Sequence, residues 1–334
     1  MIAPDDMAAC RAAIRTGSLS FHAASRVLPA RVRDPALALY AFCRVADDEV
    51  DEGADKAGAV LRLRDRLDLV YRGAPRDSYA DRAFAAVVED FDMPRALPEA
   101  LLEGLAWDAI GRRYDTLSGV LDYSARVAAA VGAMMCVLMR VRDADALARA
   151  CDLGLAMQLT NISRDVGEDA RAGRVFLPLD WLRAEGVAVE RFLTEPAACE
   201  GVRRVTARVL GEADRLYLRA EAGVAALPLA CRPGIFAARH IYAGIGGQVA
   251  RAGYDSVGLR ARTGKGQKLG WLMLAGLRAA ASPLLPRPAV LHARPAAEVA
   301  FLVDAAARQG AARGRSEALF EVLAQLEARS RGMA

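Results

Sequence analysis

Two pairs of aspartates are the chemically most suggestive residues of the 334-residue chain. In Leu39-Tyr-Ala-Phe-Cys-Arg-Val-Ala-Asp-Asp-Glu-Val-Asp51, Asp47 and Asp51 stand four apart. Gln158-Leu-Thr-Asn-Ile-Ser-Arg-Asp-Val-Gly-Glu-Asp169 repeats the spacing at Asp165 and Asp169, with Asn161 and Gln158 on the preceding turns. On a helix such residues stack on one face with Cβ atoms about 6 Å apart, and two like charges there cost a few tenths of a kcal/mol, roughly, unless something compensates. A cation would compensate. Carboxylate oxygens suit Mg²⁺, which keeps part of its water shell and binds through few carboxylates plus phosphate oxygens. Arg44 and Arg164, beside the two pairs, could then meet the remaining phosphate charge as bidentate donors. One such spacing on an arginine-rich helix reads equally as a solvated face laced with i,i+4 ion pairs. Two occurrences leave both readings open.

The elements that position these residues are helical. Leu37, Tyr40, Ala41 and Arg44 recur at three- and four-residue spacing, as do Leu61, Leu63, Leu67 and Val70, and later Val205, Val209, Leu216 and Leu218. Alternating β-branched runs are scarce, and Pro and Gly gather between the helical stretches, as in Gly173 to Pro178 and Arg232-Pro-Gly234. The pattern predicts one all-α domain over residues 1–334 with roughly ten helices, a core over about 10–295 and a C-terminal helical extension over about 296–330. The apolar run Ala128–Met139 is too short to cross a bilayer and reads as a buried helix, and the one from Leu269 is broken by Arg278 and Pro283, so no membrane span is predicted. The first residues carry acids and lack the apolar stretch of a signal peptide.

Composition narrows the function classes. At 54% hydrophobic and 26% charged the chain is no disordered polymer. Six cysteines without a CxxC pair point to a reduced, cytoplasmic protein, and three scattered histidines do not build an imidazole zinc site. A formal charge of +4 does not suggest a nucleic-acid partner, yet the charge is segregated: nine basic residues and one acid, Asp255, lie between Arg239 and Arg294. Within that region Arg260, Arg262, Lys265 and Lys268 precede Trp271-Leu-Met-Leu, which suits peripheral contact with an anionic membrane surface or, equally, a core helix flanked by diphosphate-binding cations. Gly264-Lys-Gly266 is broken at Leu269 as a dinucleotide fingerprint, and Thr263-Gly-Lys265 misses the P-loop because Leu259 occupies the first glycine position.

The surrounding residues resemble the squalene/phytoene synthase family. The likeness runs from Ser18-Leu-Ser20-Phe21 and Leu28-Pro29 through the first aspartate motif, then Tyr123 and Val127-Ala-Ala-Ala-Val-Gly132. It is most specific at Gln158 to Asp169 and Gly173-Arg-Val-Phe-Leu-Pro178, and ends at Ile241-Tyr242 and Arg260-Ala-Arg262. Leu19, Phe176, Ala129 and Arg126 depart from the usual family pattern. The resemblance implies an isoprenoid synthase fold, helices surrounding a central apolar cavity. It implies metal ligation by Asp47, Asp51, Asp165 and Asp169. It assigns diphosphate contacts to Ser18, Ser20, Arg44, Gln158, Asn161, Arg164 and Arg260, and active-site roles to Tyr40, Tyr123 and Tyr242.

The implied reaction joins two geranylgeranyl diphosphates head to head, through a cyclopropylcarbinyl diphosphate, into phytoene. Mg²⁺, with Mn²⁺ as the other candidate, would be the cofactor, and no NADPH is expected. Ala23, Ala24 and Ser25 are small enough to leave room for a C20 tail, or to pack helices tightly. Two alternatives stand: a C15-using enzyme making squalene, hydroxysqualene or dehydrosqualene, and an inactive helical relative acting in assembly. Retention of all four aspartates with Arg44 and Arg164 argues against the latter.

Overall fold

Alanine, leucine and arginine at helical spacing fold most of the described residues into helices. The computed structural model describes residues 2–17, 24–51 and 56–308, and no strand occurs among them. Ser18, Ser20 and Ala23 lie outside the described residues, as do the side chains of Asp47 and Asp51.

The chain opens with α1 (Pro4–Gly17), α2 (Ala30–Asp51), α3 (Lys56–Tyr71), α4 (Tyr79–Phe91) and α5 (Ala96–Ala109). Helix α4 shows how the pattern works: Ala80, Ala83, Phe84 and Val87 are its buried stripe, and Phe84 stacks on Phe42 of α2 with ring centroids 4.3 Å apart. Next come α6 (Leu117–Ser124), one π-helical turn (Ala125–Ala129) and α7 (Ala130–Leu138), a continuous helical rod over Leu117–Leu138. That rod is long and apolar enough to cross a membrane by length and composition, but 61% of its apolar window is buried inside the protein. Ala130, Ala133, Met134 and Cys136 have no solvent exposure, so it is a core helix, as the apolar run from Ala128 predicts.

The longest element is α8 (Ala144–Arg171), started by Asp143, whose side chain accepts from the Ala146 N–H. The short α9 (Leu179–Ala184) and α10 (Val189–Thr194) lead to α11 (Glu200–Val224), which packs along α8. Then follow α12 (Arg232–Arg251), α13 (Lys265–Ala281) laid against α12, and α14 (Ala300–Ala307). Leu302, Val303 and Ala306 of α14 join the main core and pack against α8 and α7. Up to residue 308, the stretch expected to begin a C-terminal helical extension packs on the core, where α14 supplies apolar cover for α7 and α8.

Close helix crossings set the shape of the interior. A Cβ on Gly154 of α8 would lie 2.6 Å from the Ala129 Cα and 2.8 Å from the Ala128 carbonyl. A Cβ on Gly132 would lie 2.7 Å from the Ala150 carbonyl. The π turn and α7 thus press backbone to backbone on α8. This explains the alanine- and glycine-rich Val127 to Gly132 segment and turns Val127, Ala128 and Val131 into the space alongside.

Candidate active site

That space is an apolar cavity of about 330 Å³ walled by α2, the π turn and α7, α8, α11 and α12. Leu39, Met135, Leu153, Met157, Val224 and Ile235 are typical of its surface. The polar exceptions among the described lining residues include Tyr40, Gln158, Asn161 and Tyr242, all of them positions the sequence marks. Ala24 and Ser25 line it as well.

From the cavity, α8 carries the second aspartate motif onward. Asn161, Asp165 and Asp169 follow at four-residue intervals on one side of the helix. Asp165 is held by two arginines: Arg164 Nε donates at 2.8 Å and Arg260 Nε at 2.9 Å, both to Oδ1, while Arg164 Nη2 donates to Oδ2. Burial alone would favour protonation, but these hydrogen bonds outweigh it and keep the carboxyl below the ordinary aspartate range. Arg260 also pairs with Glu168 at 3.0 Å.

Asp169 is the opposite case. Burial pushes its carboxyl up to about 6, the single contact from Arg174 Nη2 at 3.2 Å only partly counters this, and the charges of Asp165 and Glu168 add to the rise. Arg174 is a site residue the sequence reading missed; its place in Gly173-Arg-Val-Phe-Leu-Pro178, five residues after Asp169, is the signal that could have found it.

Glycine explains how Arg260 arrives. A Cβ on Gly167 would lie 2.6 Å from both the Cα and the carbonyl oxygen of Val257. The Gly167 N–H donates to the Ser256 carbonyl at 2.9 Å, and Arg171 Nη2 donates to the Val257 carbonyl at 2.6 Å. Asp255 shapes the turn by accepting from the Val257 and Gly258 N–H groups. Only at glycine can this turn touch α8 within the aspartate motif, and Arg260 follows directly.

The remaining predicted residues fall as follows. Asp47 and Asp51 belong to the last two turns of α2, one and two turns beyond Cys43, which with Tyr40 lines the cavity. Arg44 pairs with Asp48 at 2.5 Å. Gln158 accepts from the Asn161 amide at 3.4 Å. Tyr123 stands apart from the cavity lining: its hydroxyl donates to Asp108 at 2.9 Å and its ring stacks on Phe176 at 5.1 Å and against Tyr114 at 5.3 Å. Burial, then the Asp108 charge, raises its hydroxyl far above the ordinary tyrosine value, so the phenol stays neutral. Phe176, where the family more often carries tyrosine, fills the layer between Tyr123 and the Asp169–Arg174 pair.

Helices around one apolar chamber, with carboxylates and arginines gathered on the helix that leaves it, define an isoprenoid synthase fold. A sequence model described as Squalene/phytoene synthase matches residues 14–267, and the chain belongs to that family. It is 70% identical to the phytoene synthase of Cereibacter sphaeroides over 99% of this chain and 96% of the relative. It is 65% identical to that of Rhodobacter capsulatus over 100% of this chain and 99% of the relative. Among solved structures, a dehydrosqualene synthase in complex with a ligand superposes with a TM-score of 0.77 at 29% identity, covering 83% of this chain and 97% of that one.

Proposed function

We infer that this protein condenses two geranylgeranyl diphosphates head to head, through a cyclopropylcarbinyl diphosphate, to phytoene with release of diphosphate. It is a transferase of prenyl groups in carotenoid biosynthesis. The observation that carries this reading is near-full-length identity of 65–70% to two proteins named phytoene synthase. The apolar chamber ending at the Asn161–Asp165–Asp169 face supports it, since a prenyl tail needs the one and a diphosphate the other. The C15 alternatives rest on solved neighbours at 25–29% identity and are the weaker reading.

A divalent cation, Mg²⁺ or Mn²⁺, is proposed as cofactor. The donors suit a hard cation: two carboxylates and an amide on one helical face, with the Asp169 charge incompletely compensated. Among the described residues no group of three or more His, Cys, Asp or Glu side chains is preassembled around one point, and the α2 aspartates are proposed to complete the set. A bound cation would neutralise charge developing on the leaving diphosphate. The protein's own part is to supply charge and exclude water. Arg164 and Arg260, held here on Asp165 and Glu168, are proposed to turn toward a phosphate and exchange one ion pair for another. Tyr40 and Tyr242 are proposed to steer the allylic cation, with apolar walls keeping water away from it. Tyr123 is proposed to act from behind the Asp169 face, through its aromatic layer.

A peripheral position on the cytoplasmic face of an anionic membrane is also proposed. The supporting observation is the outer face of α13, where Leu269, Met273 and Leu277 are 61%, 67% and 70% exposed next to Lys265 and Lys268. All six cysteines are free thiols, in keeping with a reducing compartment. The deciding experiment for the activity is incubation with geranylgeranyl and farnesyl diphosphates separately, with Mg²⁺ and without NADPH, followed by product mass. A C40 hydrocarbon from the C20 substrate is expected. A C30 hydrocarbon from farnesyl diphosphate, with none from the C20 substrate, would overturn the assignment.

A further inference from the structure

Away from Asn161 along α8, the cavity lining includes the only charged side chain among its described residues, Arg149. An arginine is an unusual wall for a hydrocarbon tail, and this one is fixed. It is 1% exposed, and its Nη1 donates to three backbone carbonyls, those of Val290, Leu291 and Ala293, at 2.6, 3.2 and 3.0 Å. Asp152, wholly buried one turn along α8, pairs with Arg149 Nε at 2.7 Å and with Arg219 Nε at 3.0 Å. Arg219 in turn donates to the Arg294 carbonyl. On the other side the Arg149 stem meets Gly223, where a Cβ would come within 2.3 Å of the Arg149 Cβ. The guanidinium is thus tied to the 290–294 segment, and its stem is clamped by α11.

Position along α8 gives this residue its meaning. Ala146, Arg149, Ala150, Leu153, Gly154, Met157 and Asn161 all face the cavity. At a rise of 1.5 Å per residue, Arg149 lies about 18 Å from Asn161 and about 24 Å from Asp165. The helix that ends in the aspartate motif therefore runs along the chamber, and Ala146 and Arg149 line it at the end away from the aspartates.

We propose that Arg149, anchored by Asp152 and the 290–294 carbonyls, is the floor that limits prenyl chain length, a specificity-determining residue for the condensation. The inference rests on the prenyl-diphosphate reading above. An arginine does this where a leucine of similar reach would not, because the Nη1 bonds to three carbonyls and the Nε pair with Asp152 hold it against the pressure of a longer tail.

The test compares C15, C20 and C25 (geranylfarnesyl) diphosphates by kcat/KM and product mass. Arg149→Ala with Asp152→Asn, which removes the arginine without leaving a buried carboxylate alone, is expected to raise the C25:C20 ratio at least tenfold. Arg149→Met with Asp152→Asn keeps the stem but loses the anchoring donors and is expected to raise the ratio at least threefold; a ratio at the wild-type value in this variant, with a raised one in Arg149→Ala/Asp152→Asn, would show that bulk and not the anchored guanidinium sets the limit and would overturn the proposal. Ala146→Leu works from the same end in the opposite sense and folds independently of the charge cluster; it is expected to raise the C15:C20 ratio at least tenfold. A role confined to stability would lower turnover of all substrates alike, and ratios unchanged in folded Arg149→Ala/Asp152→Asn, or in Ala146→Leu alone if the double variant does not fold, overturn the proposal. Wild-type protein inactive on the C20 substrate would instead remove the underlying functional reading, a separate result.

Discussion

At the scale of single residues, Asp165 and Asp169 show one residue type put to two electrostatic uses a turn apart. Asp165 has two arginines and is easily ionised; Asp169 has one long contact, two acidic neighbours and a carboxyl near 6. Because the folded value of Asp169 lies above the unfolded one, the folded state binds more protons between about pH 4 and 6, and stability from this group falls as pH rises through that window. For Asp165 the sign reverses: its contribution is present above the unfolded value and is lost as pH falls through the lower folded one. Asp169→Asn should therefore stabilise the metal-free protein at pH 8 by about 1–2 kcal/mol, a figure reduced for partial exposure and for the lost Arg174 pair. The same substitution should abolish turnover, as should Asp165→Asn, though the latter without the stability gain. Chemical denaturation at pH 5 and pH 8 checks this, and an Asp169→Asn protein no more stable than wild type at pH 8 would contradict the electrostatic account. Tyr242→Phe tests the division of labour in the cavity: if the released diphosphate accepts the protons, kcat should fall less than tenfold by steady-state assay. Much of this placement is legible in the sequence, since Tyr40, Gln158, Asn161 and Tyr242 all line the cavity. Arg174 and the Arg260–Asp165 pairing were not, because they depend on a turn folding back onto α8.

Elements translate spacing into position, and here glycine sets how near they come. Gly154 and Gly167 on α8 face backbone, of the π turn and of the Ser256–Val257 turn, whereas Gly211 on the exposed side of α11 has nothing within 4 Å of a would-be Cβ. Alanine is the better helix former by about 1 kcal/mol, so Gly211→Ala should stabilise by about 0.5–1 kcal/mol. At Gly154 and Gly167 the clash exceeds that gain, and alanine should destabilise by about 1–3 kcal/mol. Gly167→Ala should in addition weaken substrate diphosphate binding, because Arg260 moves with the displaced turn. Thermal melts of the three variants and KM for Gly167→Ala check these expectations, and a stabilised Gly154→Ala would show that the crossing yields easily. The all-helical character and the buried nature of the Ala128–Met139 run follow from periodicity alone. The π turn and the inclusion of α14 in the core do not, because local preference cannot report which neighbour presses on a helix or which apolar face lacks cover. Tyr123 illustrates the same limit: its motif is plain in the chain, but its place behind Phe176 rather than in the cavity is decided by α5 supplying Asp108 as hydrogen-bond partner.

Over the whole molecule, charge and exposed apolar surface coincide. Eight of the twelve large apolar residues most exposed among those described fall between Leu259 and Val290, and no Asp or Glu occurs between Asp255 and Glu298. Within α13 the two faces separate. Trp271, which the sequence suggested as the lipid-facing aromatic, turns inward: its ring occupies the space where a Cβ on Gly244 of α12 would sit, and Ala275 and Ala279 are buried beside it. The outward face is left to Leu269, Met273 and Leu277, continued by Leu284 and Leu285, with Arg262, Lys265 and Lys268 at one end. Inner-face Ala275 and Ala279 share a small cluster with Ala24 and Val224, which also line the cavity, so α13 lies between a chamber that makes a C40 hydrocarbon and the surface proposed to meet lipid. Apolar insertion and basic attraction should both contribute, the latter about 1 kcal/mol per Lys or Arg at the surface and weakened by salt. Flotation with vesicles containing 30% anionic lipid, roughly the charge density at which such attraction acts, should carry the protein upward, while neutral vesicles or 0.5 M salt (Debye length about 4 Å) should reduce recovery severalfold. Met273→Asp with Leu277→Asp should abolish flotation and leave turnover of detergent-dispersed substrate unchanged, since neither residue reaches the cavity. Salt-insensitive flotation would remove the electrostatic half of the account. Full flotation by the double variant, or its conversion from an oligomer to a monomer in sedimentation, would reassign this face to another chain.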